Sequence, residues 1–398
     1  MVYSGKRGRP HSWKGATSSP GVWNRLALHV RTDAIGNVLG RTPAPQGGPV
    51  VLSGSHLDAV PDGGTFDGAA GAIAALEAAR RIAERGVPLA RAVEVVGFVE
   101  EEGRFTGLLG SAAMMGLADF ATLANAYDSQ GVSFAEALRA AGLDVSQAQR
   151  AVRDPTQIAA FVELHVEQGA LLEQAAIPIG LVTSIAGTHR LAVRLRGRTE
   201  HAGATPMDRR HDALVVAAEI VAAARRLARA TRRETARATV GQLTVRPNVT
   251  SAVPGEVDLV VDVRDVDGAA RAALAADIEK AIGEASRREG VDWSVTIPMS
   301  AVPGQTHPLV QTAIQATCEA MDLPYLRMMS GASHDTLNML RRVPAGMIFV
   351  PSHDGRSHSP AEHTDAEQLA IGTDVLIGTL VRLATDNDTA DPRQLLRG

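Results

Sequence analysis

From Pro49 onward the chain alternates short apolar runs with longer stretches whose apolar residues recur every third or fourth position. A run of about four to eight apolar residues bounded by turn formers reads as a buried strand, and the longer period as a helix. PVVLSGSH (49–56), AVEVVGFVEEEG (92–103), IAAFVELHVEQG (158–169) and AGMIFVPSHDGRSH (345–358) each predict a strand that runs into polar residues. After the first of them, Ile73, Leu76 and Ala83 fall on one face of a predicted helix, and Gly86 stands where a helix ends in a left-handed residue. Strands alternating with helices predict an α/β domain built on a mostly parallel sheet.

Between 188 and 298 the pattern changes. THRLAVRLRG, ARATVGQLTV, EVDLVVDVRD and VDWSVTIP read as strands, while HDALVVAAEIVAAARRLA and GAARAALAADIEKAIGEAS read as helices. The resulting β-α-β-β-α-β order predicts a ferredoxin-like α+β unit over 188–298, inserted into a discontinuous α/β domain formed by 1–187 and 299–398. The opening segment has neither period up to about Trp23, and disorder is expected over roughly 1–25.

In open α/β sheets, ligands bind beyond the carboxyl ends of the strands. Here four such ends carry His56 with Asp58, Glu100 to Glu102, Glu163 with His165 and Glu167, and His358, and they are expected to converge on one cleft. A strand repeats every two residues, so His56 and Asp58 share a face, as suits a metal ligand and a carboxylate holding its other ring nitrogen. His56, Asp67, Glu102, His165 and His358 are the candidate ligands, since imidazole and carboxylate donors suit Zn²⁺, Mn²⁺ or Co²⁺. Asp67 is suited to bridge two ions, clamping both sides of a reacting water.

Each residue also has a plainer reading. Asp67 precedes a helix and could be its N-cap; the glutamates could be a solvated strand end; His165 could be a core histidine and His358 a loop residue. Their coincidence at four strand ends favours a metal site. Two adjacent glutamates then divide the work, one ligating and the other taking a proton from the reacting water. Glu101 is assigned as base and Glu102 as ligand, an order that the motif alone leaves open.

Composition narrows the function class. The chain has 398 residues, 45% of them hydrophobic, which is long enough for two domains. A net charge of -4 leaves no basic footprint for nucleic acid and no polybasic membrane patch, so a small-molecule substrate is expected. One cysteine, Cys318, cannot form an intrachain disulfide, which predicts a cytoplasmic protein. No run approaches 18 apolar residues, and the charged N-terminus lacks an apolar core, so neither a membrane span nor a signal peptide is predicted.

In order, SGSHLDAVPDGGTFDG, EEEG before RF, ELHVEQG, EHAGATPM, PGEVDLVVDVRD, SGASHD and GRSHSPAE resemble the dinuclear-metal aminoacylase and carboxypeptidase superfamily. They are most similar to its branch of N-carbamoyl-L-amino-acid hydrolases, β-ureidopropionases and allantoate amidohydrolases. The resemblance runs from about residue 30 to the C-terminus, and the branch rests chiefly on ELHVEQG, because peptidase members usually have a carboxylate ligand where His165 stands.

The resemblance implies two divalent metal ions per subunit, one held by His56, Asp67 and His165, the other by Asp67, Glu102 and His358. It implies that Gln168 contacts the ureido group and that Arg264 clamps the substrate carboxylate, which a planar guanidinium can bind bidentately. It further implies a homodimer through a lid and dimerisation domain, with His201 acting across the interface on the oxyanion of the tetrahedral intermediate. His334 and Asp335 either shape the cleft or form a turn. The expected reaction is cleavage of the carbamoyl C–N bond of an N-carbamoyl-L-amino acid to amino acid, ammonia and carbon dioxide. Allantoate or N-carbamoyl-β-alanine is the alternative substrate, and an exopeptidase or a non-catalytic relative the alternative class.

Three features depart from the family. Ser251 replaces an asparagine that contacts substrate, and EEG runs to RF without the residue of the common EEGxRF. The segment before Asp33 is short and unlike the usual N-terminal helices, as though the chain began late or out of frame, which is expected to impair folding or solubility.

Overall fold

The computed structural model describes residues 28–43 and 47–385, so the segment expected to be disordered lies outside the described residues. The first strands are β1 (His29–Thr32), β2 (Val38–Arg41), β3 (Val50–His56), β4 (Val93–Phe98), β5 (Ile158–Val166) and β6 (Ile179–Ile185). There follow β7 (Gly187–Arg196), β8 (Glu200–His201), β9 (Arg237–Arg246), β10 (Ala252–Val253), β11 (Glu256–Asp265) and β12 (Asp292–Ser300). The last are β13 (Gly304–Gln305), β14 (Tyr325–Ser330) and β15 (Ala345–Val350). The chain divides into two compact units, one of Met1–Thr183, Gln305–Ser330 and His334–Gly398, the other of Ser184–Gly304 with Gly331–Ser333.

The large sheet runs β1-β2-β4-β3-β5-β15-β6-β13, with β14 paired to β6. Its central strands β4, β3, β5 and β15 are consecutive and parallel, with His56 beside Phe98 and Ile348 beside Leu164. Four carboxyl ends therefore lie side by side. Every residue of β3, β4 and β15 is buried, the pattern of a parallel sheet covered on both faces. Helices Ala69–Glu84 and Ala366–Ala384 pack with Val51, Val95, Leu164 and Val350 in one apolar cluster. Leu52, Phe98 and Phe161 pack on the opposite side with Met114 and Met339, which belong to the short helices Leu109–Met114 and Thr336–Met339.

Helix Ala69–Glu84 corrects the face read from its sequence. Ile73 is 58% exposed, and the buried side is made of Ala72, Ala75, Leu76, Ala79 and Ile82. The cause is proximity, because a Cβ on Gly71 would stand 2.0 Å from the Leu164 carbonyl oxygen. The helix lies so close to β5 that alanine lines the contact and the branched Ile73 turns outward. Gly86, at φ 59, follows the helix in the left-handed conformation expected of it.

In the second unit, β12-β7-β11-β9 form an antiparallel sheet. Counted along the chain, that order is 4-1-3-2, and residues 188–298 fall inside the second unit. Along β11 burial alternates: Val257, Leu259, Val261 and Val263 face the helices Ala213–Ala230 and Gly268–Glu289, while Asp258, Asp262 and Arg264 take the other face. No helix among the described residues is long and apolar enough to cross a membrane.

Candidate metal centre

The first unit brings five candidate ligands together. His56 ends β3, His165 lies in β5, Glu102 follows β4, and His358 lies in the loop after β15. Asp67 precedes helix Ala69–Glu84, whose cap residue is Gly68 and whose N-terminus has no side-chain cap, so the N-cap reading of Asp67 is set aside. Gly68 has φ 60, and a Cβ there would lie 2.3 Å from His56 Nδ1; only glycine lets the turn pass the imidazole. Asp67 is thereby aimed at three histidines. Its Oδ1 lies 3.1 Å from His165 Nε2 and 3.5 Å from His56 Nε2, and its Oδ2 lies 3.0 Å from His358 Nε2. Glu102 Oε1 is 3.8 Å from the same His358 nitrogen.

The ring tautomers follow from the hydrogen bonds. His56 Nδ1 lies 2.9 Å from the Asp58 carbonyl, and His165 Nδ1 lies 2.8 Å from the Val166 carbonyl. A carbonyl only accepts, so each Nδ1 donates and each neutral ring presents an Nε2 lone pair. Gly68 N–H accordingly donates to His165 Nε2 at 3.3 Å. Asp67 Oδ1 and Glu102 Oε1 are buried without hydrogen-bond partners. Lone pairs and carboxylate oxygens thus face one another on two sides of Asp67, a donor set that fits one divalent cation on each side.

The sequence pattern of peptidase family M20/M25/M40 matches residues 52–382. The chain belongs to this family. It is 41% identical over 360 residues to an N-carbamoyl-L-amino-acid amidohydrolase of Paenarthrobacter aurescens, covering 90% of this chain and 87% of that one. With an allantoate amidohydrolase of Escherichia coli the identity is 37% over 367 residues, covering 90% and 87%. A hydantoinase/carbamoylase family amidase from Burkholderia vietnamiensis superposes with a TM-score of 0.85 at 30% identity, over 94% of this chain and 90% of that one. The chain is a hydrolase of amide and ureido C–N bonds in an amidohydrolase branch of this dinuclear-metal family.

Asp58 acts differently from its sequence reading. Its backbone carbonyl, not its carboxylate, holds His56; the carboxylate is 3.8 Å from Nδ1 and accepts the N–H groups of Glu101 and Glu102, each at 3.1 Å. The left-handed Glu100, at φ 61, turns the chain so that these consecutive amides point at one carboxylate. Gln168, at φ 59, donates from Nε2 to Asp67 Oδ2 at 2.9 Å and keeps Oε1 buried without a partner. Glu167 faces elsewhere, accepting Leu171 and Leu172 N–H at 2.8 Å.

Supporting residues complete the centre, among them Glu163 and His334, which the sequence named without these partners, and Ser55, Thr336 and Ser330, which it did not name. Glu163 shares the inward face of β5 with His165 and accepts Ser55 Oγ, Thr336 N and Thr336 Oγ1 at 2.7, 3.0 and 2.7 Å. The His334 ring meets the His165 ring edge-on at 4.5 Å, and His334 Nε2 lies 2.8 Å from Ser330 Oγ. The two-residue spacing in ELHVE was the available signal for Glu163; nothing local marked Ser55 or Thr336 as its partners.

The remaining candidates belong to the second unit. His201 Nδ1 accepts from the N–H groups of Gly203 and Ala204 at 3.0 and 3.1 Å, so its neutral ring carries the proton on Nε2. Exposed Ser251 accepts Ala202 N–H at 2.8 Å on its carbonyl. Arg264 is tied to Asp262, with Nε at 2.7 Å from Oδ1 and Nη2 at 3.3 Å from Oδ2, and its Nη1 donates to the Gly331 carbonyl at 3.2 Å.

The centre is strongly acidic and draws in positive charge. Burial pushes up Glu101 and Glu102, and neighbouring carboxylates push them further. Burial likewise raises Glu100 and Asp335, each to about 8. For His56 burial opposes charging, but Glu101, Asp67 and Asp58 outweigh it and hold its pKa well above the usual value. His165, against its burial, and His358 are also raised by the nearby Asp67 carboxylate, and the three histidines hold Asp67 far below the carboxylate range against its own burial.

A group whose folded pKa exceeds its unfolded one stabilises the fold below the unfolded value and loses that contribution as pH rises through the folded value. Glu100 and Asp335 go from 4.5 and 3.8 to about 8, so the chelated protein should lose stability across that window. Its thermal midpoint is expected to be lower at about pH 8.5 than at about pH 6, with a smaller fall after metal loading. A midpoint that stays flat or rises in the chelated protein would show these carboxyls ionising freely.

Proposed function

We propose that the chain hydrolyses the carbamoyl C–N bond of N-carbamoyl-L-amino acids, releasing amino acid, ammonia and carbon dioxide. The observation favouring this substrate over allantoate is the 41% identity to the Paenarthrobacter N-carbamoyl-L-amino-acid amidohydrolase, against 37% to the Escherichia coli allantoate enzyme. His165 in place of a carboxylate ligand supports the ureido branch over the peptidases.

His56, Asp67 and His165 would hold one ion and Asp67, Glu102 and His358 the other, with Zn²⁺, Mn²⁺ or Co²⁺ as the ions that suit these donors. When bound, the ions supply Lewis acidity, lowering the pKa of water and polarising the substrate carbonyl. Glu101 lies with Oε2 4.0 Å from His56 Nε2, and its raised pKa suits a group that must take a proton and give it back near neutral pH. Glu101 receives a proton from the water that attacks the carbamoyl carbon, then delivers it to the leaving nitrogen.

Gln168 Oε1, buried and unpartnered, is an acceptor for the ureido N–H groups. His201, as an Nε2–H donor, would stabilise the oxyanion from across a homodimer interface. Arg264 would clamp the substrate carboxylate with the N–H groups that Asp262 and Gly331 leave over. Ser251, shorter than the usual asparagine, leaves more room beside the substrate. A cytosolic setting completes the proposal, since the one cysteine, Cys318, cannot form an intrachain disulfide.

The test is ammonia release from N-carbamoyl-L-amino acids, N-carbamoyl-β-alanine and allantoate, using chelated protein reloaded with Zn²⁺, Mn²⁺ or Co²⁺. Metal-restored turnover is expected on the first group and not on its D-enantiomers. Turnover of allantoate alone would replace this reading with that of an allantoate amidohydrolase.

A further inference from the structure

Glu362 is only 6% exposed and lies outside the candidate ligand set. Its Oε2 accepts the N–H groups of Phe66 at 2.8 Å and Asp67 at 3.1 Å, while its Oε1 accepts the Ser357 hydroxyl at 2.8 Å. The backbone is shaped around this carboxylate, since a Cβ on Gly64 would stand 1.9 Å from Oε2. One side chain therefore ties the turn that carries Asp67 to the loop that carries His358. Ser357 Oγ also accepts Gln168 Nε2 at 3.3 Å, which joins a third segment to the same point.

The three histidines are not held alike. His56 and His165 are buried, and each commits Nδ1 to a backbone carbonyl. The His358 side chain is 51% exposed and its backbone sits at φ 53. Among the described residues its Nδ1 has no hydrogen bond, and only its Nε2 meets Asp67 and Glu102. The orientation of His358 thus depends on its loop, and the loop depends on the bond from Ser357 to Glu362.

We infer that Glu362 is a positioning residue for the side of the centre formed by Asp67 Oδ2, Glu102 and His358, and that it sets how tightly a divalent cation is held there. The inference rests on the two-ion reading of the centre and is independent of the substrate. Loss of such an outer partner typically costs ~10–100-fold in metal affinity. The effect falls on one side because the other side's histidines have backbone anchors of their own.

Glu362→Ala removes both acceptor oxygens. Glu362→Gln keeps an oxygen for the two amides and an N–H that can donate to Ser357 Oγ. The full-length chelated chain is titrated with Zn²⁺ against a chromophoric competing chelator, with circular dichroism and a thermal midpoint for each variant. The parent is expected to take up two ions. Glu362→Ala is expected to bind one of them ~10–100-fold more weakly and the other within a few-fold of the parent, with Glu362→Gln recovering most of the loss.

Equal weakening of both ions together with a fallen midpoint would reduce Glu362 to a structural residue and overturn the inference. Parental affinity for both ions in Glu362→Ala, or no recovery in Glu362→Gln, would overturn it as well. A parent that takes up fewer than two ions would overturn the two-ion centre and the inference together.

Discussion

Glu101→Gln is expected to lower kcat by ~10²–10⁴-fold, the usual contribution of a positioned general base, while KM changes little. The substitution keeps the size of a largely buried side chain, 11% exposed, and removes only its capacity to take a proton. Its N–H is already fixed by Asp58, so the loop should hold its course. Glu101 lies outside both proposed ligand sets, although its carboxylate also groups with His56 and Glu102, and the variant is expected to keep its metal content. Steady-state ammonia release beside metal analysis makes the comparison. Turnover within tenfold of the parent would move the base role to another group, with the adjacent Glu102 first in line.

Asp67→Asn is expected to abolish turnover by another route. Asp67 offers one oxygen to His56 and His165 and the other to His358. Asparagine fills the same space but keeps a single ligand oxygen, so only one side of the centre can be served. Tightly held metal should fall from two ions to one per chain, with a larger loss of affinity on the forsaken side than the ~10–100-fold cost of an outer partner. Metal analysis after dialysis reads this directly. Two ions retained at parental affinity would remove Asp67 from its proposed bridging place.

The polar residues that end β3, β4 and β5 stand out in the sequence because each follows a continuous apolar run. What makes them a site is the neighbour order β4-β3-β5-β15, and this was not legible, since parallel strands far apart in the chain are paired by contacts that no local pattern encodes. The helix face was misread at Ile73 for a related reason: periodicity ranks residues by hydrophobicity, whereas the closeness of β5 selected alanine. Asp58 was noticed, but the atom holding His56 depends on where the Glu101 and Glu102 amides turn, which follows from the left-handed Glu100. Glu163 was noticed but its partners were not, and Glu362 was given no role, because in both cases the partners come from segments distant in sequence. In the second unit the alternation along β11 was plain from its valines and charges, yet the pairing of Arg264 with Asp262 two residues away was not drawn from it.

The alanine face of helix Ala69–Glu84 works as a spacer. Its thickness fixes the height of the helix above the sheet, and the Asp67 turn enters the helix at one end, so the carboxylate inherits that height. A methyl group added to Ala75 or Ala79 would touch no polar atom of the centre, yet it would lift the helix as a rigid lever and tilt the turn at its tip. The tolerance of this enzyme to change is therefore set partly by residues with no chemistry of their own, and a search for altered metal use or substrate range has as much to gain from that layer as from the ligands.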